Sequence, residues 1–442
     1  MSPAGMNKIL WIKKHWNLKE NPFPSEAIAR LGGEDLRENG LLFDPHVQGD
    51  KVEEAAEKFV LGAAYGGLKF GFLWSLGTGI HGDARGFGKS SLMQYLVEDV
   101  NKDWGRDVFL RTGLDESDAD EHPMCAVLAS FDMANARSLN AVFFTATQYA
   151  CRFRVDDATP TLAERVYARL VEQVGSEDPA ELRRAIETVQ ERLRGRTLGP
   201  PVAPFLELLC EGDSSRIGRY LENEVSEAKR SRSGASYLAT FLLMVKAAGV
   251  RNVLLCCDQL EDFASTTTSK QKRTLEVERF RDYLLEIQPM SDMLSVVVTM
   301  HPRATQAIGD MWRLADLPSY DHDREENRHR VVVLERISSP AHANQLVAKY
   351  LERYRSGDAP ADPLYPFTAD AVEAIRTRSD GKPRDILRRA HALIERGSED
   401  NWDLIDAANA TAVLDSFTLA DDDEDLLATT RPAAARSPYS AE

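Results

Sequence analysis

Two apolar patterns alternate along the chain. Cys125-Ala-Val-Leu-Ala-Ser-Phe131, Asn252-Val-Leu-Leu-Cys-Cys257, Leu294-Ser-Val-Val-Val-Thr299 and Arg330-Val-Val-Val-Leu334 are nearly unbroken apolar runs of strand length. Such runs suit parallel strands covered on both faces, which show no polar side to water. A further short strand is expected near Trp74–Ile80. Between the strands the spacing turns helical, over about 51–69, from Ser90 to Asn101 and from Leu139 to Arg152. Strand and helix in alternation predict an α/β fold with a three-layer parallel sheet.

Two regions depart from this rhythm. In about 156–235, Leu182, Ile186, Val189 and Leu193 recur at a 4-3-4 spacing and share one helical stripe. Two glycines and three prolines then interrupt the pattern between Gly195 and Pro204. This stretch reads either as a helical insertion or as further core helices of the same unit. After residue 338 the pattern is helical throughout, with helices expected at Ala341–Tyr354, Ala369–Arg378, Pro383–Arg396 and Trp402–Leu414. The expected organisation is an N-terminal lead-in segment (1–50), an α/β core (51–337, with 156–235 as the insertion), a helical lid domain (338–418) and a disordered acidic tail (419–442). The tail reading rests on Asp421-Asp-Asp-Glu-Asp425 followed by Ala-, Pro- and Ser-rich sequence.

Composition narrows the function classes. With 442 residues the chain has room for two or three domains. It carries 54 Lys+Arg against 70 Asp+Glu, a net charge of −16, which argues against binding nucleic acid through the whole surface and leaves room for a local basic strip. The five cysteines lie inside apolar runs with no Cys-x-x-Cys pair, so neither disulfides nor a zinc site are expected and a reducing compartment is. No segment approaches the roughly 20 apolar residues of a membrane span. A cytoplasmic protein without a membrane partner is the expectation.

The most informative string is His81-Gly-Asp-Ala-Arg-Gly-Phe-Gly-Lys-Ser-Ser91, set between an expected strand and an expected helix. That context is what a phosphate-binding loop requires. Gly86 and Gly88 allow backbone N–H groups to curl around phosphate oxygens, and the helix beginning at Ser90 points its free N–H groups the same way. Gly82, Asp83, Ala84, Arg85, Gly86, Phe87, Gly88, Lys89, Ser90 and Ser91 are therefore the candidate ATP-binding residues. Lys89 would reach the outer phosphates, and the Ser90 hydroxyl would ligate Mg²⁺. The strict pattern has glycine where this chain has Asp83. The apolar run Val253–Cys257 ends in Asp258-Gln-Leu-Glu261-Asp262. Asp258, at the strand's carboxyl edge, is the second Mg²⁺ candidate, and Glu261 or Asp262 would polarise the attacking water. Alternatively these last two acids cap the next helix.

The order of these elements resembles the AAA+ family of P-loop NTPases, and within it the initiator-type, ExeA/TniB-type and STAND-like branches. The resemblance covers roughly residues 16–415 apart from the insertion. It implies that Thr299, at the end of the strand before His301, is the polar sensor-1 residue. It also implies that Arg384, in Gly381-Lys-Pro-Arg384, is the sensor-2 arginine that the lid carries to the γ-phosphate. The lead-in Leu18-Lys-Glu-Asn-Pro-Phe23 resembles the segment those ATPases pack near the adenine. Arg313, Arg324 and Arg328 lie where the family places an arginine supplied to a neighbour's ATP, so Arg313 and Arg328 imply a homo-oligomeric ring or filament; the alternative is a solvated loop. Two features depart from the family. Gln259 stands where a second acid normally follows Asp258, and 169 residues separate Lys89 from Asp258.

The expected activity is that of an AAA+ ATPase that binds and hydrolyses ATP with Mg²⁺ to remodel or license a protein or DNA partner. For DNA, the basic strips are Lys229-Arg-Ser-Arg232 and Lys270-Gln-Lys-Arg273; the alternative for each is a solvated face. Gln259 favours a different class, a slow-turnover STAND-like nucleotide switch that recruits an effector, a role that by analogy would fit defence against mobile DNA.

Overall fold

The computed structural model describes residues 3–26, 35–75, 86–130, 138–193, 200–260, 269–357 and 360–416. The expected acidic tail, residues 82–85 of the loop, and Glu261 and Asp262 lie outside them.

Five strands, β1 (Phe70–Ser75), β2 (Met124–Ser130), β3 (Asn252–Asp258), β4 (Leu294–Met300) and β5 (Val331–Leu334), form one sheet in the order β2-β3-β4-β1-β5. Every pairing is parallel. The fold is α/β, with helices on both faces. β1, β2 and β4 are buried at every position, as their unbroken apolar sequences require.

On one face, Phe70, Phe72 and Trp74 of β1 pack with the helices Asn140–Arg152, Glu227–Ala247, Lys270–Glu286 and Pro302–Leu314. The helices Leu162–Val174, Pro179–Arg192 and Ala203–Glu211 join this same hydrophobic cluster. Leu182 and Ile186 of the sequence stripe are fully buried, while Val189 and Leu193 pack against the cluster half-buried. The long Glu227–Ala247 helix crosses Asn140–Arg152 closely at Gly234, where a Cβ would fall 2.0 Å from the Asn140 carbonyl oxygen. On the other face, Leu73, Leu128 and Val297 pack against Leu92 and Leu96 of the helix Lys89–Lys102 and against Phe59.

Three boundaries differ from the sequence reading. The strand expected near Trp74–Ile80 is β1, Phe70–Ser75, and residues 76–80 lie outside the described residues. Gly71 reads in the sequence as a break, yet it is a packing glycine: a Cβ there would come within 2.8 Å of the Phe59 ring. The helix expected over 51–69 ends at Ala64, its middle turn Ala56–Leu61 being π-helical, and Gly66 at φ 71° turns the chain into β1. The last helix begins at Ala407 instead of Trp402, because the Asp406 carboxylate accepts from Asn409 N at 2.8 Å and starts it there.

The helices Pro340–Arg353, Ala369–Arg378, Pro383–Glu399 and Ala407–Ser416 form a separate hydrophobic cluster that also contains Trp16, Leu18, Phe23 and Leu42 from the N-terminal segment. Burying each large apolar side chain contributes about 2–3 kcal/mol. The indoles of Trp11 and Trp16 donate to the carbonyls of Trp402 (3.1 Å) and Asp403 (3.3 Å). Arg355 donates to the Trp16 carbonyl at 2.9 Å. Glu395 accepts from Lys8 and, at 2.9 Å, from Asn21. Residues 8–23 are thus built into the helical region. No helix among the described residues is long and apolar enough to cross a membrane.

Candidate functional site

The carboxyl edge of an open parallel sheet is where such folds place ligands, since the loops leaving the strands diverge there. Here β1, β2, β3 and β4 bring polar residues to that edge at the ends of otherwise apolar runs: Ser75, Ser130, Asp258 and Thr299. All four are buried, Asp258 at 3% and Thr299 at 1% exposure.

After β1 the described chain resumes at Gly86-Phe87-Gly88, which leads into the helix Lys89–Lys102. Gly86 (φ 84°) and Gly88 (φ 89°) both lie in the left-handed region that side chains disfavour. Gly88 is also the N-cap of the helix Lys89–Lys102, so no cap side chain closes that N-terminus, and its N–H groups and dipole face the strand edge. Phe87 is buried and anchors the turn. Lys89, 9% exposed, donates from Nζ to Ser75 Oγ at 2.7 Å. The Ser90 hydroxyl donates to Asp258 Oδ2, and Thr299 Oγ1 donates to the other carboxylate oxygen, Oδ1, at 2.7 Å. One buried carboxylate thus gathers a hydroxyl from the loop helix and another from β4. The thiol of Cys256 stays protonated beside it: burial pushes it up to about 12, with the Asp258 charge adding to the effect.

This donor set fits a small hard cation. Ser90 and Asp258 offer a hydroxyl and a carboxylate already in contact, the oxygen pair Mg²⁺ takes when phosphates and water complete its shell. The glycine turn and the free helix N-terminus fit the phosphates themselves.

Two further segments reach the loop. The Arg384 backbone N–H donates to the Gly86 carbonyl at 3.1 Å, and a Cβ on Gly86 would come within 2.6 Å of Arg384 Cβ. The Arg384 guanidinium Nε donates to the Glu26 carbonyl at 3.4 Å. From the other side Gln48 Nε2 donates to the Phe87 carbonyl at 3.1 Å, and Gly40 abuts Ser91 and Gln94. The C-terminal helices, the N-terminal segment and the loop therefore meet at Gly86–Ser91.

The arginine candidates pair with neighbouring acids. Arg313 pairs with Asp310 at 3.6 Å and Arg328 with Glu325 at 3.9 Å, both guanidinium side chains being at least three-quarters exposed. Arg324 pairs with Asp321 and Glu326. In the first basic strip, Arg230 donates to the carbonyls of Leu221, Glu222 and Val225 and lies over Phe144, so its charge serves its own chain. Lys270 opens the helix Lys270–Glu286 and faces Asp310 at 3.9 Å.

Four residues of this edge escape a motif reading: Ser75, Ser130, Gln48 and the carbonyl of Glu26. For the two serines a signal existed. Each is a polar residue ending an apolar strand, the same feature that singles out Asp258.

No protein-family model matches the chain, and no curated protein matches it. Among solved structures, the chain is similar to the Aeropyrum pernix ORC2 protein in its ADPNP–ADP complexes, with a TM-score of 0.43 and 12% identity over 89% of this chain and 74% of that one. A likeness of this size leaves the chemistry to be read from the site itself.

Proposed function

We propose that this chain is an ATPase of the AAA+ type, binding ATP with Mg²⁺ under a helical lid and using occupancy of that site to remodel or license a protein or DNA partner. The observation that carries the reading is the Asp258 carboxylate held by Ser90 of the loop helix and Thr299 of β4, beside a glycine turn and Lys89. Gly82, Asp83, Ala84 and Arg85 complete the loop around the phosphates. Lys89 exchanges Ser75 for the outer phosphate oxygens, and Ser90 and Asp258 hold the metal. Magnesium, when bound, neutralises phosphate charge and fixes its geometry. Glu261 or Asp262 takes the proton of a water whose oxygen bonds to the γ-phosphorus as the bond to ADP breaks.

Arg384 couples occupancy to the lid. Its backbone is already docked on Gly86, so a γ-phosphate that draws the guanidinium from Glu26 changes how the lid sits on the core. Exposed Arg313 or Arg328 serves a neighbouring subunit's nucleotide in a ring or filament. Lys270, Lys272 and Arg273 are the DNA-facing candidates, and the cytoplasm is the setting.

A second reading, a slow-turnover switch recruiting an effector protein, is favoured by one observation: the residue after Asp258 is Gln259, which cannot act as a base. Nucleotide titration and turnover separate these readings. Lys89→Ala should remove ATP binding; retained binding overturns both. Wild-type turnover that rises with protein concentration or double-stranded DNA and is lost in Glu261→Gln supports the motor. Tight binding with negligible turnover throughout supports the switch.

A further inference from the structure

Gln259 follows the last residue of β3 and has φ 58°, a conformation uncommon for a residue with a side chain and concentrated at functional positions. Two hydrogen bonds hold it there. Its backbone N–H donates to Thr299 Oγ1 at 3.3 Å, and its side-chain Oε1 accepts from Ser130 Oγ at 3.3 Å. Ser130 ends β2 and is the register partner of Asp258, so Gln259 is tied to both strands that flank β3. Thr299, its backbone partner, is also the hydroxyl that holds Asp258.

A carboxamide has one accepting end and one donating end. Ser130 occupies the accepting oxygen. What remains is the NH₂ group, and among the described residues nothing accepts a hydrogen bond from it. A donor in this place cannot take a proton from water, but it can bind an anionic oxygen, and the neighbouring groups are those that would gather a phosphate chain. We propose that Gln259 donates its side-chain N–H to the terminal phosphate of a nucleoside triphosphate and is the residue by which this site tells ATP from ADP. This rests on the nucleotide reading above and deepens it. Ser130 acts as the positioning residue, since its hydroxyl fixes which end of the amide is presented.

The test is calorimetric titration of the full chain, in Mg²⁺, with ADP and with a non-hydrolysable imido analogue of ATP. Wild type should bind the analogue more tightly than ADP. Gln259→Ala should reduce that preference roughly tenfold, the worth of a hydrogen bond to a charged group, with ADP affinity unchanged. Gln259→Glu keeps the shape and replaces the donor with an anion, so it should abolish the preference altogether. Ser130→Ala should weaken it by less. Thermal unfolding of each variant confirms that the fold is retained, and a purely structural role would move both affinities together. A Gln259→Glu chain that keeps the preference, or that hydrolyses ATP faster than wild type, overturns the proposal. If wild type binds neither nucleotide, the nucleotide reading itself has failed and this proposal falls with it. If wild type binds both and the ratio does not depend on residue 259, only the role of Gln259 has failed.

Discussion

Two polar clusters in this molecule, one half-buried and one buried, are made of similar materials and differ in arrangement. In the lid region Glu395 faces Lys8 and Asn21, and His391 Nδ1 meets the Phe23 carbonyl at 2.8 Å. Charge meets opposite charge, partners are some 370 to 390 residues apart, and the result is a clasp that holds the N-terminal segment. At the sheet edge an ammonium, several hydroxyls and an uncapped helix N-terminus gather about one carboxylate, beneath two glycines of positive φ. Pairing is common to both clusters. What sets the second apart is donors concentrated where the backbone is shaped to let an anion approach.

Substitutions can break or sharpen that contrast. The largest effect is expected for Lys89→Ala, which should lower ATP affinity between roughly tenfold and a hundredfold. Glu395→Gln, its counterpart in the clasp, should leave affinity unchanged in the same titration. Next comes Gly86→Ala. The left-handed backbone alone costs about 1–2 kcal/mol with a Cβ present, and the clash with Arg384 would displace the lid. Denaturant unfolding should report that loss, and limited proteolysis should cut between lid and core sooner.

Glu395→Gln itself should cost less than about 1 kcal/mol, because the side chain is partly solvated. This cluster has a pH signature. Burial alone would raise the Glu395 pKa, but hydrogen bonds from Lys8 and Asn21 and the Lys8 charge outweigh it and hold it below its ordinary 4.5. A lowered carboxylate pKa stabilises the fold above the ordinary value, and that contribution is lost as pH falls through the folded one. Hydrogen exchange of residues 8–23 should therefore accelerate as pH drops below about 4.5, after correction for intrinsic rates, and the acceleration should be smaller in Glu395→Gln. The smallest effect is expected for Arg328→Ala. It should change stability by no more than about 0.5 kcal/mol and lower only that part of turnover which rises with protein concentration.

Much of the sheet was legible because parallel strands buried on both faces leave the plainest trace a sequence can carry: β2, β3, β4 and β5 all coincide with unbroken apolar runs. β1 was harder, because Gly71 imitates a turn while serving to admit the Phe59 ring. At the site, Gly86, Gly88, Lys89 and Ser90 are recognisable since their spacing is dictated by one local turn. Ser75, Ser130 and Gln48 act through contacts between segments 14 to 129 residues apart, and local spacing does not encode which strand lies beside which. The same limit applies to the N-terminal segment, whose aromatic residues announce burial without naming what buries them.

That segment has a consequence for how the chain is assembled. Trp11, Trp16 and Phe23 pack on surfaces that lie mainly between residues 350 and 403 and are therefore made more than 300 residues later. Until then these three aromatic side chains lack their distant partners, while the sheet, whose pairings close by residue 334, can already form. The sheet can then form before the cluster that joins the N-terminal segment to the helices after residue 338. A chain cut short before the helix Pro383–Glu399 would keep a formed core and carry an exposed, adhesive N-terminus.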